Sequence, residues 1–283
     1  MANVGDVMTS NPIVAQVPGS RQEVLKIMVQ HNLTGLPVVR RTDGSLAGMI
    51  TRQDIFEHSD EDQAAMIMQR DHLSISPKDS VEDAAKLLVE GGIRHLPVVE
   101  DNRLVGILTP TDLLCIVEKR GIDSPVESVI RSPCVPIFME TPLAVAAVIL
   151  KVSKSTALPV LDEQGRLTGI ITDRDIFNKS YIEGAAVISE MGMAEDEDQW
   201  SWEGLRNVMK LWYEVSKIEL PGMPIKEIMV KDPITVFKKT AISDAARVMR
   251  KNDFGQLPVR DNKDCLLAMI YDHDIISVLI KEQ

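Results

Sequence analysis

The sequence predicts an α/β protein built from four tandem copies of one module, each of about 60 residues, and three observations carry that prediction. The phrase Leu-Pro-Val occurs four times, at Leu36-Pro37-Val38, Leu96-Pro97-Val98, Leu158-Pro159-Val160 and Leu257-Pro258-Val259. About ten residues after each comes a short apolar run: Ala47-Gly48-Met49-Ile50-Thr51, Val105-Gly106-Ile107-Leu108-Thr109, Thr168-Gly169-Ile170-Ile171-Thr172 and Leu267-Ala268-Met269-Ile270-Tyr271. After two intervening residues each run is followed by an aspartate, namely Asp54, Asp112, Asp175 and Asp274. Self-similarity at a fixed period marks a repeated supersecondary unit. The phrases lie 60, 62 and 99 residues apart, so an insertion of about 38 residues separates the third copy from the fourth.

Within each copy the elements follow in one order. An extended segment opens it: Asn11-Pro12-Ile13-Val14, Leu73-Ser74-Ile75, Pro133-Cys134-Val135 and Pro233-Ile234-Thr235. A helix comes next. Ser20, Ser80, Thr141 and Thr240 are its candidate caps, because a hydroxyl can accept from a free amide of the first turn. Glu23 and Asp83, three residues on, can reach back to complete a capping box, and Pro142 suits the first helical position. Val24, Ile27, Met28 and Ala84, Leu87, Leu88 then recur at helical spacing, turned toward a core. Two strands follow, joined by tight turns at Asp43-Gly44 and Asp101-Asn102. A second helix begins after Thr51, Thr109 and Thr172.

The predicted segments are residues 1–60, 61–120, 121–178 and 223–283 for the four copies, with residues 179–222 as the insertion. The insertion holds all three tryptophans, Trp200, Trp202 and Trp212. In it Leu205, Val208, Met209, Trp212 and Val215 share one face of an amphipathic helix, which reads as a connector or as a docking surface.

Composition narrows the function. Net charge is -11, and there is no Lys/Arg-rich block to neutralise a phosphate backbone, so nucleic acid is not the expected partner. The longest apolar run, Leu143 to Leu150, is far short of the roughly 20 residues a membrane span needs. The N-terminus shows no signal peptide, and the scattered Cys115, Cys134 and Cys265 read as free thiols in a reducing cytoplasm. No His-x-x-x-His pair, Walker loop or nucleophile elbow is present, so neither a metal site nor catalysis is expected.

Four copies of Leu-Pro-Val, Gly-x-Ile/Leu-Thr and Thr-x-x-Asp closely resemble CBS domains, named for cystathionine β-synthase. The resemblance covers nearly all of the chain outside residues about 179–222. It implies that the copies pair into two Bateman modules forming a disk, as in the γ regulatory subunit of AMP-activated protein kinase and stand-alone microbial relatives. It further implies a non-catalytic sensor of AMP, ADP or ATP that signals to a client protein, with self-association into a homodimer compatible. S-adenosylmethionine, a metal, or a scaffold without ligand are the alternatives.

On that resemblance Thr51 with Asp54, Thr109 with Asp112, Thr172 with Asp175, and Asp274 hold ribose and phosphate. The same Thr-x-x-Asp is also a self-sufficient capping box, and the sequence leaves both readings open. Arg52, Arg174, Arg94 and His95 are candidate phosphate contacts or plain surface charges. Ile13, Val14, Ile75, Val135, Ile234 and Thr235 would sandwich adenine, or simply form edge strand and core. Copies one and three match the pattern best. Copy four, with Ala268 for the glycine and Tyr271 for the threonine, matches least.

Overall fold

The computed structural model describes residues 2–58, 61–176 and 223–280. Copy one opens with a 3-10 turn at Val4–Asp6, followed by β1 (Thr9–Ser10), β2 (Ala15–Val17), α1 (Arg21–Gln30), β3 (Gly35–Arg40), β4 (Leu46–Thr51) and α2 (Arg52–Glu57). Copy two contains α3 (Ala64–Ile67), α4 (Val81–Glu90), β5 (Leu96–Glu100), β6 (Arg103–Leu108) and α5 (Pro110–Arg120). Copy three contains a turn at Val126–Ser128, β7 (Ile137–Phe138), α6 (Leu143–Ser153), β8 (Ala157–Leu161), β9 (Leu167–Thr172) and helical residues 173–176. Copy four contains a turn at Ile225–Glu227, β10 (Val230–Lys231), β11 (Val236–Phe237), α7 (Ile242–Asn252), β12 (Gln256–Arg260), β13 (Leu266–Tyr271) and α8 (Asp272–Ile276).

The chain divides into two compact units, one of Met1–Ser132, Phe237–Leu257 and Ile270–Gln283, the other of Pro133–Val236 and Pro258–Met269. In the first unit copies one and two exchange their opening segments. β1 of copy one lies antiparallel on β6 of copy two, Thr9 opposite Ile107, while β2 runs parallel to its own β3. Copy two reciprocates: Gln69 bridges Met49 of β4, and Ile75 pairs with Val98 of its own β5. Each opener therefore starts on its partner's sheet and ends on its own. Copy four's α7 packs along α5, and α8 packs on α4 and α5.

In the second unit the same exchange puts β10 of copy four on β9 of copy three, Val230 opposite Ile170, in the order β10-β9-β8-β7. Its core gathers Ile137, Leu143, Leu150, Leu158, Val160, Ile171 and Ile225. The repeated glycine serves this exchange. A Cβ on Gly106 would stand 2.4 Å from the Met8 sulfur, and one on Gly169 would stand 2.5 Å from that of Met229. A side chain there would force the partner's methionine to shift, so glycine eases the close approach of the opener.

Local chemistry explains most helix starts. Ser20 and Glu23 form the reciprocal box, with Glu23 N donating to Ser20 Oγ at 3.1 Å and Ser20 N donating to Glu23 Oε2 at 2.9 Å. Ser80 caps α4 through Asp83 N at 3.1 Å. Copies three and four depart from the expectation. Pro142 and Ala241 are the caps, each in extended conformation, and Thr141 and Thr240 stand one residue outside. Thr141 belongs to the turn before α6, its N–H donating to Phe138 O at 2.9 Å. Thr240 spends its hydroxyl on Phe237 N at 3.1 Å instead. The turn at Asp101-Asn102 is as expected, both residues having positive φ as a two-residue hairpin loop requires. The predicted insertion helix lies outside the described residues. No helix among the described residues is long and apolar enough to cross a membrane.

Candidate functional site

In three copies the Thr-x-x-Asp motif folds as the capping box its spacing predicts. Asp54 Oδ2 accepts from Thr51 N at 2.7 Å and Thr51 Oγ1 at 2.6 Å. Asp112 Oδ2 accepts from Thr109 N at 2.7 Å and Thr109 Oγ1 at 2.8 Å. Asp175 Oδ2 accepts from Thr172 N at 2.8 Å and Thr172 Oγ1 at 2.7 Å. In copy four Tyr271 supplies only its main-chain N–H, 2.9 Å from Asp274 Oδ2. One carboxylate oxygen in every copy is thus consumed by its own helix start.

The other oxygen separates the copies into two kinds. In copy one Asp54 Oδ1 accepts from Gln69 Nε2 at 2.5 Å, and Asp54 is buried. Copy four resembles it: Asp274 Oδ1 accepts from Ser132 Oγ at 3.1 Å and Arg131 N at 3.3 Å, and Asp274 is buried too. In copies two and three the bonds to Asp112 and Asp175 from described residues all go to Oδ2, and both residues are partly exposed. Desolvation pushes the carboxyls of Asp112 and Asp274 above their ordinary value, against hydrogen bonds that pull them down. The geometry therefore sets copies two and three apart, whereas the sequence ranks one beside three.

Because openers are exchanged, the apolar segment beside each aspartate comes from the paired copy. Ile13 and Val14 leave β1 close to the strand that leads into Thr109. Ile234 and Thr235 leave β10 close to the strand that leads into Thr172. Ile13 and Ile234 are 40% and 44% exposed, unusual for isoleucine at a sheet seam. Ile75 behaves otherwise. It is buried, and its main chain is bonded to Pro97 and Val99 of its own strand, so Leu73, 43% exposed, is the counterpart of Ile13. Val135 packs partly buried against the second unit's core.

The four basic candidates part company. Arg52 reaches Asn32 Oδ1 at 3.5 Å. Arg174 sits between Asp173 and Asp175, half-buried, with no ion pair among the described residues. Lys231 on β10 lies opposite Gly169 and adds a second cation in that neighbourhood. Arg94 is engaged: it holds the fully buried Asp272 at 2.6 and 3.1 Å. Burial pushes Asp272 up, but the bond from His273 and the charge of Arg94 outweigh it and hold the group below its ordinary value. His95 faces the first copy, its ring 3.0 Å from Thr34 Oγ1 and over Gly35. Desolvation, helped by Arg94, lowers its pKa to about 4.

Sequence reasoning missed Gln69, Ser132 and Lys231, because nothing within one copy marks a residue that acts on another. The usable signal is alignment of the openers: Thr9, Gln69 and Val230 occupy one register position opposite Ile107, Met49 and Ile170. Among described residues no cluster of His, Cys, Asp and Glu could hold a metal ion.

Comparison with known proteins gives a consistent picture. The CBS domain family model matches residues 4–61, 64–119, 126–181 and 225–281. Protein MJ1225 of Methanocaldococcus jannaschii is 28% identical over 191 residues, covering 61% of this chain and 68% of that protein. Its crystal structure, described as that of a proposed archaeal homologue of γ-AMPK, covers 98% of this chain and 99% of its own, with TM-score 0.76 at 20% identity, a likeness of fold. A conserved protein from Pyrococcus horikoshii matches over 98% of this chain and 100% of its own, with TM-score 0.69 at 26% identity. YhcV of Bacillus subtilis, a CBS domain-containing protein, is 34% identical over 119 residues, 40% of this chain and 84% of that one.

Proposed function

The chain belongs to the CBS-domain family, and on that premise we propose that it is a non-catalytic regulatory protein, sensing an adenine nucleotide (AMP, ADP or ATP) in the seams between paired copies. One observation carries the reading. At copy three a carboxylate is fixed through Oδ2 and accepts nothing at Oδ1 among the described residues, next in sequence to Arg174, which has no ion pair among them, while the paired copy's opener brings Lys231 opposite Gly169 and the exposed Ile234. A carboxylate can accept from both hydroxyls of a ribose. Guanidinium and ammonium groups suit phosphate, and an apolar side chain suits the face of a base. The oxygen that caps the helix is not the one offered to ribose, so capping and binding coexist in one aspartate.

Copy two favours a second reading for its own seam. Asp112 is open in the same way, but Thr109-Pro110-Thr111-Asp112 brings no cation. That seam suits an adenosyl ligand without a phosphate, such as S-adenosylmethionine. Signalling to a client requires only that the ligand prefer one arrangement of the paired copies over another.

AMP titration of the full chain by calorimetry tests the reading. Hydrogen bonds to a charged group are worth about 1.5–3 kcal/mol, so Asp175→Asn should weaken AMP binding roughly 10- to 150-fold. Arg174→Ala should weaken AMP and spare adenosine. Unchanged AMP affinity in Asp175→Asn would return that aspartate to its helix.

A further inference from the structure

We infer that Gln69 is a built-in occupant of the copy-one site, closing Asp54 to ligand and so setting how many sites the chain offers. The inference rests on reading Asp112 and Asp175 as ligand carboxylates. Three features of one geometry support it.

First, Gln69 is aimed. Its main chain is pinned opposite Met49 by two hydrogen bonds, Met49 N to Gln69 O at 3.0 Å and Gln69 N to Met49 O at 2.9 Å. From there its side-chain amide donates to Asp54 Oδ1 at 2.5 Å, the oxygen that the capping box leaves over. An amide N–H on a carboxylate oxygen is the kind of donor a ribose hydroxyl would be, so the two compete for the approach to the same oxygen.

Second, the neighbouring copies supply the control. The same register position opposite the equivalent strand residue carries Thr9 in copy two's seam and Val230 in copy three's. Valine has no donor, and Thr9 makes no bond to Asp112. Where the position lacks glutamine, the aspartate is open and partly exposed. Where it has glutamine, the aspartate is buried.

Third, the occupant can leave. Gln69 is itself exposed while Asp54 beneath it is buried, so the side chain covers the carboxylate from the solvent side. Swinging it outward breaks one side-chain hydrogen bond. Copy four is closed differently, partly by the main-chain N–H of Arg131, which no side-chain change removes.

Equilibrium dialysis of AMP against the full-length protein decides the matter. Gln69→Ala should bind one more AMP per chain than wild type. Gln69→Thr, which copies the residue found at Thr9, should do the same and guards against a folding defect in the alanine variant. Adding Asp54→Asn to Gln69→Ala should abolish the extra site, and Asp54→Asn alone should leave the wild-type number unchanged. An unaltered or reduced number in both Gln69 variants overturns the inference, as does loss of a site in Asp54→Asn alone; either result leaves the nucleotide reading standing. Absence of AMP binding from wild type and variants alike overturns both.

Discussion

In copy one the two residues before Leu36 are Thr34 and Gly35; at the same positions copy two has Arg94 and His95. The two copies share sheet order, hairpin bulge and capping box, yet these pairs face each other with unlike content. Gly35 leaves a space that the His95 ring fills, so closely that a Cβ there would stand 2.9 Å from Cε1 and Nδ1. Arg94 turns the other way, to Asp272 of copy four. The aspartates diverge as well, Asp54 covered by Gln69 and Asp112 open. Duplication repeats the local chemistry of a module, while each copy's neighbours are free to differ, and in this chain the differences sit where the copies touch.

The largest expected effect concerns His95. Its pKa is lowered from an ordinary 6.5 to about 4 by desolvation and by Arg94. Between those values the unfolded chain takes up a proton that the folded chain refuses. Stability present above pH 6.5 is therefore lost as pH falls toward 4, by at most about 3 kcal/mol. Urea denaturation across this range should show the loss in wild type and a flatter profile in His95→Gln. Parallel profiles would mean that the ring is protonated as readily folded as unfolded, and that the two copies do not bury it.

Gly35→Ala comes next. Overpacking of this kind costs about 1–3 kcal/mol, and the cost should shrink when His95→Ala is added, because the two residues share one space. Ala157 holds the corresponding position in copy three, where no such histidine stands in the paired copy's phrase. Additive losses in the double variant would separate the two residues energetically.

The smallest effect sharpens the comparison by finding no difference. Thr51→Ala and Thr109→Ala each remove a hydroxyl that donates to the Oδ2 of its own aspartate and should each cost about 1 kcal/mol in thermal or chemical unfolding. A much larger loss in one would show that the shared motif is not energetically shared.

What was legible in the sequence follows a physical rule. Capping boxes at Thr51, Thr109 and Thr172 connect residues three apart, and hairpins at Asp43-Gly44 and Asp101-Asn102 depend on a few backbone angles. Such interactions close within one element, so they survive wherever the module is placed. Ile75 shows the limit: its apolar character suits seam and core alike, and only its strand position, paired with Val98, makes it a buried residue. Thr141 and Thr240 show another, since a cap is named by where the helix starts, and both threonines are bonded into the turn one residue before that start.

The sequence by itself determined the repeat, the order of elements, the bond that ties each threonine to its aspartate, and the family. Tertiary structure alone decided which aspartates remain available. Gln69 meets Asp54 from 15 residues away, Ser132 meets Asp274 across 142, and Arg94 meets Asp272 across 178. The first two pairings follow from the exchange of openers or the contacts around them, and the third from copy four's helices packing against copy two. Registers of that kind are set by how whole surfaces fit, and a single side chain's identity carries no mark of the surface it will meet.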